Sequence, residues 1–345
     1  MTVLSPDRSV GVVVVTFNSS DVIIGCLESL LAQEGAEPRV VLVDNASTDA
    51  TVAIVREWAA RRAEAGTADP LHEVAGRLGD TDPISTHFTL LHSPVNRGFA
   101  GGVNLGLAYL AADPGVQHFW VLNPDAYAEP QATQAILAAA RQTPGYGLIS
   151  GRVCYAEPMH TIQSDGGRIN WRTGVTSNIN MQRNASETPL PEPSQIEFVS
   201  GANMVASRRF YETAGPMKED YFLYYEEVDW ALRRGKLPLI VAPGFITHHH
   251  AGTSIGSHTP NRIATPFSYW FLYRSRMRFI RRFRPAAFPL ALAYATAKAF
   301  QLCMRGAFPQ ATTLLGAVFG LPAPKAVRGR LSAEAAQIAF GKTQR

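Results

Sequence analysis

The stretch "VGVVVVTFN" (residues 10–18) sets the tightest limit on what this chain can fold into. A β-branched apolar run that breaks abruptly into polar residues reads as a central parallel strand covered on both faces. Ile23, Ile24, Leu27, Leu30 and Leu31 then recur at helical spacing after a Ser/Asp start. A second apolar run, "RVVLVDNASTDAT" (39–51), ends in Asp44-Asn45, and residues 51–66 are again helical in pattern. Alternation of this kind predicts an α/β layered fold around a mostly parallel sheet. Further on, 67–86 reads as a turn-rich loop insertion, 87–94 as a strand and 96–112 as a helix opened by glycines. Residues 118–126 follow as a strand, 131–142 as a helix and 146–155 as another strand.

In open α/β sheets ligands gather beyond the carboxyl ends of the strands. Polar clusters sit at four such ends: Thr16-Phe17-Asn18, Asp44-Asn45, Asn96-Arg97-Gly98 and Asn123 to Asp125. Two of them have a bland alternative, since Asn45, Ser47 or Asp125 can simply cap the following helix. "NRGFAGGVN" suits an anion because glycines let backbone N–H groups approach it, yet it fits neither the P-loop nor the dinucleotide fingerprint. "NPDA" can hold Mg2+ or Mn2+ through one carboxylate, with other positions left to water and phosphate. In "YFLYYEEVDWALRRG" (221–235) the acids Glu226, Glu227 and Asp229 follow an aromatic run. They favour a helix N-terminus, and an aromatic wall also raises a carboxylate's pKa and suits a general base. Arg233 and Arg234 can pair with these acids or with a phosphate. Among His248, His249 and His250, at most two can share a strand face.

Charge divides unevenly along the chain. From Arg262 onward fourteen Lys or Arg face one acid, Glu334, whereas the first 261 residues hold 18 basic and 27 acidic side chains. A basic tail on an acidic body points to an anionic surface. In residues 267–302 aromatics interleave with Arg274, Arg276, Arg278, Arg281, Arg282 and Arg284, and no uninterrupted apolar span follows. The expectation is one or two amphipathic helices lying on a membrane, arginines on anionic headgroups, or else a helical region packed on the body. No motif for reading nucleic acid accompanies the charge. Cys26, Cys154 and Cys303 form no disulfide or zinc pattern, and the first residues carry no signal-peptide pattern, as expected for a cytoplasmic chain.

Taken in order, "VVTFNS", "LVDNASTD", "NRGFAGGVNLG", "LNPDA", "SGANMVASR", "YYEEVDWALR" and "HHHAGTS" resemble the family 2 inverting glycosyltransferases. The likeness is to the bacterial branch that includes rhamnosyltransferases and galactofuranosyltransferases of cell-surface polysaccharides. It implies an A-type glycosyltransferase fold over residues 1–260, a basic helical region over 261–345, a nucleoside-diphosphate sugar donor and a divalent metal. Under it Thr16, Phe17, Asn18, Asp44 and Asn45 would hold base and ribose, and Asn96, Arg97, Gly98, Phe99, Asn104 and Asn123 would lie along the donor. Asp125 would be the acidic metal ligand, with Asn123 where many relatives have a second acid, and His249 would be the metal-side histidine. Glu227 falls on the base position, one methylene longer than the usual aspartate, with Asp229 as the fallback. Gly201, Ala202, Asn203, Glu226, Trp230, Arg233, His248 and His250 are further candidate contacts to donor or acceptor.

The resemblance implies transfer of a sugar, L-rhamnose first, to a cell-surface glycan or lipid-linked acceptor at the inner face of the plasma membrane. Galactofuranosyl transfer from a uridine diphosphate donor is the second choice, and a catalytically impaired nucleotide-sugar-binding module the rival class. A nucleotidyltransferase would carry a glycine- and lysine/arginine-rich loop after its first strand, which "VVTFNSSDV" lacks.

Overall fold

The computed structural model describes residues 7–66, 71–75, 87–250 and 263–341. The first part of the chain alternates as β1 (Val10–Thr16), α1 (Ile23–Leu31), β2 (Arg39–Asp44), α2 (Thr51–Glu64), β3 (His72–Ala75), β4 (Phe88–His92), α3 (Gly98–Ala111) and β5 (His118–Leu122). Short strands then interleave with helices: β6 (Ala126–Ala128), α4 (Ala132–Gln142), β7 (Leu148–Tyr155), β8 (Ile162–Ser164), β9 (Gly167–Asn170), β10 (Val175–Asn178), β11 (Asn203–Ser207), α5 (Arg208–Ala214), α6 (Glu226–Leu232) and β12 (Leu239–His249). The C-terminal part is helical, with α7 (Pro266–Phe283), α8 (Phe288–Met304), α9 (Phe308–Val318), α10 (Lys325–Arg328) and α11 (Ala333–Phe340).

The main sheet has the order β3-β4-β2-β1-β5-β11-β7-β12-β6, with β8 beside β7 and β9–β10 as a separate ribbon. The steps from β3 to β5 are parallel, as is β7 to β12, while β11 and β6 run antiparallel to their neighbours. Every residue of β1 is buried because helices cover both faces, which is why its sequence shows no alternation. On one side the cluster around Ile23, Leu27, Val55 and Trp58 seals α1 and α2 to the sheet. On the other, α3 and the C-terminal helices share one continuous apolar cluster running from Val13 to Ala339.

Three sequence expectations change here. The run 118–126 is not one strand: Asn123-Pro124-Asp125 forms a turn between β5 and β6, with the Ala126 N–H donating to the Asn123 carbonyl at 3.2 Å. Residues 72–75 of the expected loop insertion form β3, and the rest of it lies outside the described residues, as does "AGTS" of the histidine motif. The arginine-aromatic helix α7 is buried along much of its length, through Phe267, Trp270, Phe271, Tyr273, Phe279 and Ile280. Its Arg276 is also buried and donates to the Tyr225 hydroxyl at 2.9 Å, with its guanidinium 4.5 Å from the centre of the Tyr273 ring. Arg278 and Arg282 pair with Asp220, and Arg282 with Asp229. Arg276 is thus enclosed and Arg278 and Arg282 are committed to carboxylates of the chain itself, which corrects the expectation that these three rest on lipid headgroups. Among the described residues no helix is long and apolar enough to cross a membrane.

Candidate active site

A pocket of about 360 Å3 opens at the carboxyl ends of β1 and β5. That volume lies in the range that holds a small organic ligand. Its floor combines Phe17, Asn45, Asn96, Gly98 and Phe99 with the turn Asn123 to Asp125. Gly201 and Ala202, the loop from Phe222 to Tyr224, then Glu226, Glu227 and His249 supply the walls.

Strand pairing creates the Asp125–His249 contact. Antiparallel register sets His249 against Ala126 and His248 against Tyr127, and the His250 N–H donates to the Asp125 carbonyl at 3.0 Å. Alternation along β12 then points His249 into the pocket. His248 pairs instead with Glu129 at 2.7 Å and stacks on Tyr127, so it does not line the cavity. His250, beside the Tyr127 ring, does not line it either.

His249 Nδ1 lies 2.8 Å from Gln163 Oε1, which as a carbonyl oxygen accepts the Nδ1–H. His249 Nε2 lies 3.0 Å from Asp125 Oδ1 and 3.2 Å from the Asn123 amide nitrogen, and with the hydrogen on Nδ1 it would present its lone pair to them. A lone pair facing a carboxylate is the arrangement a cation between them would satisfy, and an oxygen such as Gln163 Oε1 accepting from the other ring nitrogen is the usual support for a metal-ligating histidine. The residues present therefore fit Mg2+ or Mn2+. Among the described residues no three His, Cys, Asp or Glu side chains cluster as a metal cage. Asp125 caps no helix, because α4 starts after Gln131.

The second chemical feature is the Glu226–Glu227 pair at the start of α6. The chain reaches it through a strained loop: Phe222, Tyr224 and Tyr225 all have left-handed φ, at 65°, 65° and 71°. Each such residue costs about 1–3 kcal/mol and persists only when its surroundings hold it. Here α7 does the holding. Ser275 Oγ donates to the Leu223 carbonyl at 2.9 Å, Phe222 stacks on Phe271 at 5.0 Å, and the Tyr225 hydroxyl sits between the Gly174 carbonyl and Arg276. From the other side the Phe99 N–H donates to the Phe222 carbonyl at 2.9 Å. Gly98 (φ 73°) has to be glycine, since a Cβ there would overlap that same carbonyl oxygen.

Desolvation, opposed only by backbone N–H groups, lifts the Glu227 carboxyl to about 7. Burial and then the neighbouring Glu227 raise Glu226 well above its ordinary value, and its Oε2 has no hydrogen-bond partner among the described residues. A half-buried carboxyl poised near neutrality at a pocket wall is suited to take a proton. Asp229 is not: its buried carboxylate is spent on Arg233, Arg282 and the Tyr221 hydroxyl, which removes it as an alternative base.

Several expected contacts turn out to be structural clasps outside the pocket lining. Asn104 donates to the Met217 carbonyl and Glu219, Arg97 pairs with Glu219, and Trp230 donates to the Gly215 carbonyl. Arg233 holds Asp229 and the Ala214 carbonyl, and Asn203 accepts from Trp120. Asn18 accepts the Thr48 N–H, Asp44 the Ser47 N–H, and Thr16 is buried in β1. Asn45 lines the pocket, but its amide also joins Asn96, the Arg97 N–H and the Gly98 carbonyl, and it caps no helix. Gln163, Ser200, Phe267, Arg330 and Leu331 line the pocket without having been singled out, and of these only Ser200, in "SGANMVASR", and Phe267 lie in stretches whose pattern stood out.

The family model described as "Glycosyl transferase family 2" matches residues 11–214. Low-salt glycan biosynthesis hexosyltransferase Agl10 of Haloferax volcanii is 24% identical over 40% of this chain and 43% of its own length. N-acetylglucosaminyl-diphospho-decaprenol L-rhamnosyltransferase of Mycobacterium tuberculosis is 28% identical over 47% of this chain and 59% of its own. The chain thus spans about half the length of these curated relatives. Among solved structures, mannosyltransferase PcManGT from Pyrobaculum calidifontis, in complex with GDP-Man and Mn2+, superposes with TM-score 0.51 at 18% identity, over 99% of this chain and 84% of that one. S. aureus TarS superposes with TM-score 0.51 at 13% identity, over 94% and 82%. The fold is the A-type glycosyltransferase fold with added C-terminal helices, and with the family model matching more than half of its length the chain belongs to glycosyl transferase family 2.

Proposed function

We propose that this chain is an inverting glycosyltransferase that moves a sugar from a nucleoside-diphosphate donor to a hydroxyl of a cell-surface glycan or lipid-linked acceptor. The observation that carries the reading is one pocket lined both by the Asp125–His249 pair and by Glu227, a carboxyl held at about 7. Asp125 and His249 would hold Mg2+ or Mn2+, whose charge, when bound, offsets the charge growing on a leaving diphosphate. Glu227, as carboxylate, takes the proton from the acceptor hydroxyl while that oxygen attacks the anomeric carbon opposite the leaving group, inverting its configuration. The Phe222–Tyr225 loop and α7 brace the start of the helix that carries Glu227, and Phe99 and Phe222 line the pocket with it. Arg97 has no part in this step, being paired with Glu219 outside the lining.

L-rhamnose on a deoxythymidine diphosphate donor is the sugar of first choice, supported by the mycobacterial relative's name. Galactofuranose on uridine diphosphate is the second. A membrane-peripheral placement at the inner face is supported by α8, which is built inside out. Its alanines Ala291, Ala295 and Ala299 are buried, while Leu290, Tyr294, Phe300 and Met304 stand exposed on the opposite side, Met304 at 74%. Lys298 and Arg305 flank that face, matching an anionic lipid surface. The donor reading is tested by a thermal-shift panel of nucleotide sugars with and without manganese. A rise in melting temperature with one donor and manganese together is expected; no response to any donor would remove the proposal.

A further inference from the structure

One wall of the pocket comes from the far end of the chain, beyond the family-matched segment. Phe267 opens α7, and Arg330 and Leu331 lie in the turn between α10 and α11. Packing on both sides places this turn. Val327 of α10 is fully buried, and Phe340 of α11 stacks on Phe271 with ring centres 5.7 Å apart. Within the turn the Leu331 N–H donates to the Arg328 carbonyl at 3.1 Å. The Arg330 guanidinium then rests 5.0 Å from the centre of the Phe267 ring. Such a cation–π seat orients the group while leaving its N–H donors for a ligand.

The charges around it make the placement informative. The lining includes the carboxyl groups of Asp125, Glu226 and Glu227, and Arg330 is the only arginine or lysine among the described lining residues. No described carboxylate forms an ion pair with it, whereas Arg97, Arg233 and Arg282 are all paired elsewhere. A planar guanidinium held unpaired at the rim of a pocket matches the fork geometry of phosphate oxygens.

We propose that Arg330 is a diphosphate-binding residue of this pocket, so that the C-terminal turn completes the binding site. The inference rests on the glycosyltransferase reading, in which a diphosphate can arrive on the nucleotide donor or on a prenyl-linked acceptor.

Calorimetric titration of the full chain separates these sources. One arm uses dTDP, UDP and GDP, each with manganese; the other uses geranyl diphosphate, with geraniol as its uncharged control. Arg330→Ala is expected to weaken binding about tenfold or more in one arm, the loss of a charge-assisted hydrogen bond. Arg330→Gln keeps the length of the side chain and should lose a similar factor, which guards against a folding defect in the alanine variant. Arg328→Ala, an equal charge change outside the lining, should bind as the wild type does. A loss confined to nucleotides identifies the donor diphosphate, and a loss confined to geranyl diphosphate the acceptor's. Wild-type affinity of the folded Arg330 variants in both arms overturns the proposal alone, as does an equal loss in Arg328→Ala. Failure of the wild-type chain to bind any of these diphosphates overturns it together with the glycosyltransferase reading.

Discussion

Glu227→Gln is expected to strengthen the fold above neutral pH while stopping turnover. The Glu227 carboxyl sits at about 7 in the folded chain against an ordinary value of 4.5. The folded state therefore holds its proton more tightly than the unfolded state does, and stability is lost as pH rises between those two values. With about 1.4 kcal/mol for each tenfold change in proton affinity, the loss is about 1 kcal/mol at about pH 5.5 and about 3 kcal/mol at about pH 8.5. Glutamine carries no such penalty, and any packing difference it introduces does not vary with pH. The stability advantage of Glu227→Gln should thus grow by about 2 kcal/mol across that range, with relief of Glu226 adding in the same direction. Urea denaturation of both proteins at the two pH values measures it. In parallel, kcat/KM of the wild type should rise with pH through about 7, and turnover of the variant should fall by about a hundredfold or more. A stability gap that stays flat with pH would refute the reasoning about desolvation, and undiminished turnover would remove Glu227 as the base.

Asp125→Ala should weaken nucleoside diphosphate binding about tenfold or more with manganese present and leave binding in chelator unchanged; calorimetry showing the same drop in both conditions would count against a metal role. Gly98→Ala should cost more than about 2 kcal/mol, combining a disfavoured φ with overlap on the Phe222 carbonyl, and a wild-type denaturation midpoint would contradict the close approach. Tyr225→Phe removes the hydroxyl between Gly174 and Arg276, so a stability loss of about 1–3 kcal/mol and a lower kcat at unchanged KM are expected from denaturation and kinetics. The full chain should float with anionic vesicles at low salt, and the double change Phe300→Ser, Met304→Ser should abolish this; equal flotation of both proteins would exclude α8 as the contact.

Strands β1, β2, β4 and β5 were legible because parallel strands buried on both faces leave apolar runs ending in polar residues. The antiparallel β11 was not, since its five residues "NMVAS" carry no period and were read only as part of a motif. At the site, strand alternation limited the histidines, and pairing with β6 is what selects His249. Asparagines were harder to read. Asn45, Asn96 and Asn104 look alike as ligand-facing polar groups, yet Asn104 turns to the Met217 loop and Asn45 spends its amide on backbone. The arginines of α7 misled for a related reason: charge interleaved with aromatics looks the same whether it faces lipid or reaches inward to Tyr225 and Asp229. Arg330 left no trace in the pattern, because its place depends on how helices far apart in sequence fold back over the pocket.

The strained turn carrying Glu226 and Glu227 leans on a helix that begins some forty residues later in the chain. The family model matches residues 11–214, so both the turn and its brace lie beyond the matched segment. A fragment trimmed to the matched segment would keep Asp125 but lose Glu227, the proposed proton acceptor. One trimmed just before Pro266 would keep the acceptor and let its backbone unwind into an easier conformation. In this chain the helical appendage works as a splint, and on the proposed mechanism the smallest unit able to complete a turnover would extend at least through α7.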